Sequence, residues 1–159
     1  MSTFTIQVDD KHGGTTTQQV VLTFHGLNSA PVVDGSINHS LNAINEDPGM
    51  PVGAVGTLIS DIIQLGVLGV TGVSDDNAFA ITGMAISGVN TSNGLLYYSI
   101  DSGTNWQQVG NVSEQGALLL AADSNTRLYF NPSLNYNGSI SNVLTFHAWD
   151  QTTNHIGDI

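Results

Sequence analysis

Residues 130–138 read FNPSLNYNG and are followed by residues 143–150, which read VLTFHAWD. The first stretch predicts the end of a strand, a corner fixed by Pro132 and a turn at Asn137-Gly138, because proline fixes φ and Asn-Gly pairs favour tight turns. The second stretch alternates apolar and polar residues, which predicts a strand that ends at Asp150. Two strands joined around such a corner are typical of an all-β domain.

The second of these strands has a counterpart near the start of the chain. Residues 145–150, TFHAWD, align with residues 5–10, TIQVDD. Self-similarity at a long interval indicates a tandem array, in which each copy is one structural unit. We therefore expect residues 1–31 to be the closing hairpin and linker of one repeat, and residues 32–159 to be the next repeat.

The second repeat would, by analogy with residues 16–25, lack its last strand. That leaves an open strand edge, which is a template for pairing. The N-terminal hairpin is the equivalent piece of the preceding repeat. We expect it to fill the gap either in the same chain or in a strand-swapped homodimer.

The rest of the chain shows short apolar runs separated by Gly and Asn turns, a pattern that predicts an all-β antiparallel β-sandwich. Residues 58–65 have a helical spacing, with Ser60 as a candidate cap. The predicted strands are 4–8, 17–24, 79–87, 94–100, 106–108, 117–121, 127–131 and 144–149.

Charge composition excludes several partners. The chain has 13 acidic and only 2 basic residues, for a net charge of -11. This balance argues against nucleic acid, which is bound by Lys and Arg on phosphates, and against anionic membrane surfaces. It favours cations instead, because clustered carboxylates without basic partners repel one another or hold a metal.

Catalytic signals are weak. The chain has no cysteine, which excludes thiol catalysis and Cys-ligated zinc. Its five histidines show no metal-ligand spacing, and no serine lies in a Gly-x-Ser-x-Gly context. We therefore expect no enzyme activity. No signal peptide and no run long enough to insert directly into a membrane are visible.

Several motifs together carry a family resemblance. They are residues 45–48 (NEDP), Asp75-Asp76, the 130–138 run, the strand ending at Trp149-Asp150, and residues 9–31 as a closing hairpin and linker. In this order they resemble the cadherin-like tandem repeats of large bacterial surface adhesins, which are related to RTX toxins and exported by type I secretion. The resemblance implies an immunoglobulin-like or cadherin-like β-sandwich placed outside the cell, at the bacterial surface. It also implies bound Ca2+, neighbouring repeats of the same polypeptide as partners, and a role in adhesion or as a spacer.

Two departures from the family pattern concern calcium. The family linker reads Asn-Asp-x-Pro, whereas residues 28–31 here read NSAP, and Ser29 is a poor ligand for a hard cation. The family's spaced Asp-x-Asp appears here as the adjacent pair Asp75-Asp76. These changes bear on the calcium site expected between repeats.

Carboxylates in predicted loops are the candidate Ca2+ ligands, since calcium takes six to eight oxygen ligands from carboxylates, carbonyls and water. The competing interpretation is that they are ordinary turn residues, because Asp readily hydrogen-bonds nearby backbone. The candidates are Glu46, Asp47, Asp75, Asp76 and Asp150.

Residues 99–106, SIDSGTNW, resemble the Asp-box of sialidases and related propellers. The turn chemistry of this box predicts a structural hairpin. The preceding Tyr97 and Tyr98 would place one ring inward and one outward. An outward tyrosine beside Trp106 would stack on a sugar, so the alternative to a calcium-stiffened adhesin spacer is a carbohydrate-binding module.

Overall fold

Regular structure in this chain is almost entirely β, in a computed structural model that describes residues 2–22, 28–64, 72–77, 82–152 and 157. The described residues form eleven strands and one short helix, α1 (Ile59–Ile62). The strands are β1 (Ser2–Asp9), β2 (Thr15–Leu22), β3 (Val32–Val33), β4 (Thr57–Leu58), β5 (Val73–Ser74), β6 (Gly83–Val89), β7 (Gly94–Ser99), β8 (Gln107–Gln108), β9 (Leu118–Ala121), β10 (Arg127–Pro132) and β11 (Leu144–Trp149).

All strand pairs are antiparallel. The larger sheets have the orders β4-β10-β7-β8 and β11-β6-β9, while β1-β2 and β3-β5 form two-stranded pairs. The prediction of an all-β antiparallel fold is therefore confirmed.

The two larger sheets share one buried core. Alternate residues of a strand point to one face, so each strand supplies every second side chain to that core. Met84 pairs with Leu120 in one sheet, and Leu128 pairs with Tyr98 in the other. All four belong to the same buried cluster, which α1 also joins through Ile59 and Ile62.

The corner after β10 carries the chain from the four-stranded sheet to the three-stranded one. Ser133 N donates to Asn93 O at 2.8 Å, and Tyr136 N donates to Ser133 O at 3.0 Å. Asn135 has a φ of 60°, a left-handed conformation that asparagine tolerates. The tight turn therefore lies at residues 133–136, and the prediction that centred it on Asn137-Gly138 is wrong.

Most predicted strands match observed ones to within a few residues, and β11 matches at both ends. Parts of three predicted elements, at 23–24, 65 and 79–81, lie outside the described residues. The short strands β3, β4 and β5 are not predicted at all. Ser60 does not cap α1: the cap position is Leu58, without a side-chain bond, and Ile59 N donates instead to Thr126 O at 3.1 Å.

The β1-β2 hairpin is confirmed in the predicted place, with Phe4 opposite Val20 and Val8 opposite Thr16. Every side chain from Phe4 to Val21 is exposed. Phe4, Ile6, Val8 and Val20 share one face, because directly paired residues lie on the same side of a sheet. The hairpin thus presents an apolar face that the described part of its own chain does not cover.

Leu95 and Leu96, adjacent in β7, test which face of this strand packs in the core. Leu96 is 1 % exposed and belongs to the buried cluster, whereas Leu95 is 37 % exposed on the other face. We expect Leu96→Ala to lower the free energy of unfolding by about 2–5 kcal/mol, because it leaves a cavity. We expect Leu95→Ala to lower it by less than about 1 kcal/mol. Urea unfolding followed by tryptophan fluorescence measures both, and equal losses would place the core elsewhere.

Candidate functional site

Asp150 organises the turn that follows β11. Its Oδ1 accepts hydrogen bonds from the Thr152 backbone N–H at 3.0 Å and the Thr152 hydroxyl at 2.7 Å. Its Oδ2 accepts one from the Asn28 side-chain amide. The Asn28 amide and then the Thr152 donors hold the pKa of Asp150 below its usual value, because each stabilises the charged carboxylate. Among the described residues, the charge of Asp150 is therefore stabilised by the neutral donors of Asn28 and Thr152.

The loop at residues 75–77 reaches the same segment from another side. Asp75 Oδ1 accepts the Asn77 backbone N–H at 2.7 Å, and Asn77 Oδ1 accepts the Ser29 backbone N–H at 2.8 Å. Asn28 and Ser29 therefore connect the end of β11 to the loop after β5. We call this arrangement of Asn28, Ser29, Asp75, Asn77 and Asp150 the junction cluster.

Asp75 has an unusual second oxygen. Its Oδ2 is buried and has no hydrogen-bond partner among the described residues. A buried carboxylate oxygen without a partner is unfavourable, because it has lost its hydration. Asp76, the next residue, is exposed.

Glu46 and Asp47 lie at the other end of the sheets. Asp47 Oδ1 accepts the Asn135 backbone N–H at 2.8 Å, beyond the end of β10. The strand registers show that Asp150 and Asp47 lie at opposite ends of the sheets. Asp150 follows Trp149, which pairs with Gly83 at the start of β6, whereas the end of β6, at Val89, pairs with the start of β11. The turn after β6 leads into β7, whose first residue pairs with the end of β10, close to the residue that Asp47 contacts.

The five candidate ligands are thus divided. Asp75, Asp76 and Asp150 belong to the junction end, while Glu46 and Asp47 belong to the opposite end. In the part of the chain that the structure describes, no group of three or more His, Asp or Glu side chains is close enough to hold a metal ion.

The turn after β11 has a structural counterpart after β1. Asp10 Oδ1 accepts the His12 N–H at 2.7 Å, as Asp150 Oδ1 accepts that of Thr152. The residue after each aspartate is left-handed, with a φ of 59° at both Lys11 and Gln151. The sequence alignment of residues 5–10 with 145–150 therefore extends to one local backbone geometry, a strand followed by Asp and a left-handed residue.

Asn28 and Asn77 were not among the sequence-predicted site residues. Asn28 stands in the NSAP linker, and Asn77 directly follows the Asp75-Asp76 pair. For Asn77 the available sequence signal is its position beside the predicted loop carboxylates, and for Asn28 it is the position in the linker motif. Their partners, however, lie more than 45 positions away, which no local pattern reveals.

The aromatic candidates for sugar binding are mostly covered. The two tyrosines lie on opposite faces of β7, as predicted, but Tyr97 is only 6 % exposed and Tyr98 is 7 % exposed, so the outward ring is not open to a ligand. Tyr98 faces the core, and Tyr97 lies on the opposite face beside Tyr129. The loop at residues 49–56 covers that face.

Backbone contacts hold this loop in place. Tyr129 Oη donates to Gly49 O at 3.4 Å, and the indole N–H of Trp106 donates to Gly53 O at 3.2 Å. Trp106 also contacts the Tyr129 ring edge-on, with centroids 6.0 Å apart. The partly buried ring of Trp106 therefore packs against the protein and is not free to stack on a ligand.

The Asp-box segment forms the predicted hairpin between β7 and β8. Asp101 is its centre: Oδ1 accepts the Asn105 backbone N–H at 2.9 Å, and Oδ2 accepts the Asn105 side-chain amide at 2.6 Å. These bonds, with one from Ser99, lower the pKa of Asp101. Gly103 has a φ of +83°, and a Cβ there would lie 1.9 Å from Gly53 O, so only glycine fits.

Comparisons with protein families, curated proteins and solved structures found no match to this chain. No helix among the described residues is long and apolar enough to cross a membrane.

Removing the Asp150 carboxylate should release Asn28. We expect Asp150→Ala to move the side-chain amide resonances of Asn28 to solvent-like values and to raise the exchange rate of the Thr152 amide. In the unchanged protein, the contact stabilises the fold above the usual Asp pKa and is lost as the pH falls through the lowered pKa of Asp150, because protonation removes the acceptor charge. An NMR pH titration measures this, with Asp76→Ala as control. An unchanged Asn28 signal in Asp150→Ala would contradict the assignment.

Proposed function

We propose that this chain is a non-enzymatic repeat module of an extracellular bacterial adhesin, which acts as a calcium-stiffened spacer at the cell surface. The observation that supports this most is the recurrence of a strand, an aspartate and a left-handed residue at Asp10 and Asp150. Repetition of a whole structural unit is the signature of a protein built as an array, in which each unit contacts its neighbours.

The proposed architecture is an immunoglobulin-like or cadherin-like β-sandwich. Its support is that the inner faces of the β4-β10-β7-β8 and β11-β6-β9 sheets contribute to one buried cluster. The crossing from β10 to β11 between sheets is the kind of connection that antiparallel sandwiches use.

Calcium would act at the junction cluster. Asp75 offers a buried oxygen that has no hydrogen-bond partner among the described residues, and the exposed Asp76 follows it in sequence. Asp150 is connected to the same loop through the adjacent residues Asn28 and Ser29. Oxygen donors of this kind are what Ca2+ prefers, and the chain has only 2 basic residues to neutralise 13 acidic ones. Glu46 and Asp47 are too far along the sheets to join this site.

A cation at this place would fix the direction of the chain entering the domain. Asn28 and Ser29 already connect the preceding segment to both Asp150 and the 75–77 loop. Binding to the folded protein alone would add its free energy to folding. In a series of repeats, the same cation would limit bending between one unit and the next.

The carbohydrate-binding alternative has lost its main support. It needs exposed aromatic faces, and both Tyr97 and Tyr98 are buried while Trp106 packs on Tyr129. No described observation favours it over the spacer.

Thermal unfolding tests the role of calcium. With saturating Ca2+ at about a hundred times the dissociation constant, linkage adds about 2.7 kcal/mol, which for a chain of this size raises the Tm by about 5–10 °C over the value in EDTA. Mg2+ should give a smaller rise. The double variant Asp75→Asn, Asp150→Asn should lose the calcium-dependent rise, whereas Asp61→Asn, an exposed carboxylate on α1, should keep it.

An equal Tm in EDTA and in Ca2+ would contradict the calcium part of the proposal. The Ca2+-dependent rise in Tm could also persist in the Asp75→Asn, Asp150→Asn variant and disappear in a Glu46→Gln, Asp47→Asn variant. That result would place the calcium site at the opposite end of the sheets.

A further inference from the structure

Three bonds in the sequence join an Asn or Asp to a following glycine: Asp34-Gly35, Asn93-Gly94 and Asn137-Gly138. At such a bond the backbone nitrogen of glycine can attack the side-chain carbonyl carbon and close a five-membered succinimide ring. Glycine favours this attack, because it has no Cβ to hinder the approach and its backbone adopts many conformations. All three bonds are candidates by sequence, and their surroundings in the fold differ.

The reaction at an asparagine is a hydrolysis. The bond from the glycine nitrogen to Cγ forms, the bond from Cγ to Nδ2 breaks, and the glycine N–H proton leaves with the amide as ammonia. Water then opens the ring at one of its two carbonyls, which gives aspartate or isoaspartate. The steps consume one water and need no other reagent. They require a glycine N–H that is free to lose its proton and a peptide bond that can rotate towards the side chain.

The fold holds the Asn93-Gly94 bond in place. Asn93 O accepts the Ser133 N–H at 2.8 Å, and Gly94 is the first residue of β7. Gly94 is buried, and a Cβ at this position would lie 2.4 Å from Asn131 O. Rotation of this peptide bond would break the corner after β10. We therefore expect Asn93 to react only when this part of the fold opens.

Asp34 is protected in a different way. Its Oδ1 accepts hydrogen bonds from the Ser36 N–H at 2.9 Å and from the Ser36 hydroxyl at 2.6 Å. The Ser36 hydroxyl and then the Ser36 N–H lower the pKa of Asp34, because both stabilise the charged carboxylate. A charged carboxylate resists attack by nitrogen, since its negative charge repels the incoming electron pair.

The Asn137-Gly138 bond has neither kind of protection. Both residues are exposed, and they lie between the tight turn at residues 133–136 and the start of β11. Neither the Asn137 side chain nor the Gly138 N–H makes a hydrogen bond with a described residue. A Cβ built on Gly138 would have Tyr136 Oη, at 3.8 Å, as its one neighbour within 4 Å outside the adjacent residues. The peptide bond therefore has room to turn.

We propose that Asn137 is a deamidation site of the folded protein, which reacts with Gly138 to form a succinimide and then aspartate or isoaspartate. Asn93 is its protected counterpart. The two asparagines precede the same residue type and differ in hydrogen bonding and burial, so the fold selects between them.

The modification would change the segment that connects the two larger sheets. Isoaspartate adds one carbon to the main chain between Tyr136 and Ser139, and the contact from Tyr136 Oη to Ser139 O, at 3.4 Å, spans this site. Either product also adds a carboxylate. Asn137 lines the same groove as Glu46, whose carboxylate is the only one among the described lining residues. A deamidated chain would therefore carry two carboxylates in that groove.

Peptide mapping tests the proposal, because the two basic residues divide the chain between the two asparagines. Trypsin cuts after Lys11 and Arg127, which places Asn93 in fragment 12–127 and Asn137 in fragment 128–159. Deamidation raises the mass of a fragment by the difference between an acid and an amide. During incubation of the folded chain at mildly alkaline pH, we expect fragment 128–159 to gain this mass at least about tenfold faster than fragment 12–127. That ratio corresponds to a local opening free energy of at least about 1.4 kcal/mol at Asn93.

Two matched variants and one change of condition are the controls. Asn137→Gln should stop the mass gain of fragment 128–159, since glutamine would have to close a six-membered ring, whereas Asn93→Gln should leave that gain unchanged. In concentrated urea, the two fragments of the unchanged chain should react at rates within about threefold of each other, because unfolding exposes both bonds.

Equal rates for the two fragments in the folded chain would overturn the proposal, because the fold would then not select the site. A fragment 128–159 that gains mass in urea but not in the folded chain would also overturn it, since Asn137 would be protected as Asn93 is. So would a mass gain that persists in Asn137→Gln, because the reacting residue would be another one.

Discussion

The apolar contact between the inner faces of the two larger sheets is the interaction on which the rest of the structure depends. Met84, Ile86, Leu118 and Leu120 on one side meet Leu96, Leu128 and Phe130 on the other, and all are at most 8 % exposed. Charge contributes little beside this. The contact between His147 Nε2 and Glu114 Oε2, at 2.9 Å, is an ion pair only with a protonated imidazole, and both side chains are more than half exposed. Exposed pairs of this kind add at most about 1 kcal/mol.

Most acidic residues of this chain have no basic residue to pair with, because 13 Asp and Glu face only 2 Lys and Arg. Asp10, Asp34, Asp101 and Asp150 all accept hydrogen bonds from nearby backbone or neutral side chains, and the pKa of each is lowered for that reason. Such bonds fix turns without bringing opposite charges together. The turn interpretation and a cation site at the junction cluster are compatible at Asp75, because its Oδ1 accepts the Asn77 N–H while its Oδ2 is buried with no hydrogen-bond partner among the described residues. Both oxygens of Asp150 already accept hydrogen bonds, but an ionised carboxylate has about four lone-pair sites, and these bonds use three of them.

Sequence patterns predicted the strands well where alternation was long enough to read. β11 and the β1-β2 hairpin follow from six to eight alternating residues, whereas β4 and β5 have two residues each and leave no periodic signal. Alternation also placed Tyr97 and Tyr98 on opposite faces. It did not show that the 49–56 loop covers the outer face, because that contact depends on Trp106 and Tyr129 meeting Gly53 and Gly49 from distant parts of the chain.

The candidate site shows the same limit. Five loop carboxylates look alike in sequence, and only the strand registers separate Asp47 from Asp150. The repeat, in contrast, was readable from residues 5–10 and 145–150, since local backbone geometry follows local sequence. What the alignment did not show is that the N–H of residue 157 bonds to β9, and that none of the described strands pairs with the outer edge of β11.

Amide hydrogen exchange, measured on the unchanged chain and on Leu96→Ala, tests the central claim that one apolar core joins the two larger sheets. The account predicts that the most protected amides lie in β6, β7, β9 and β10, which supply that core. Leu96→Ala, in β7, should lower the protection of β6 and β9 in the other sheet by about the same free energy, because a shared core opens as one unit. A loss of protection confined to β7 and β10 would contradict the account.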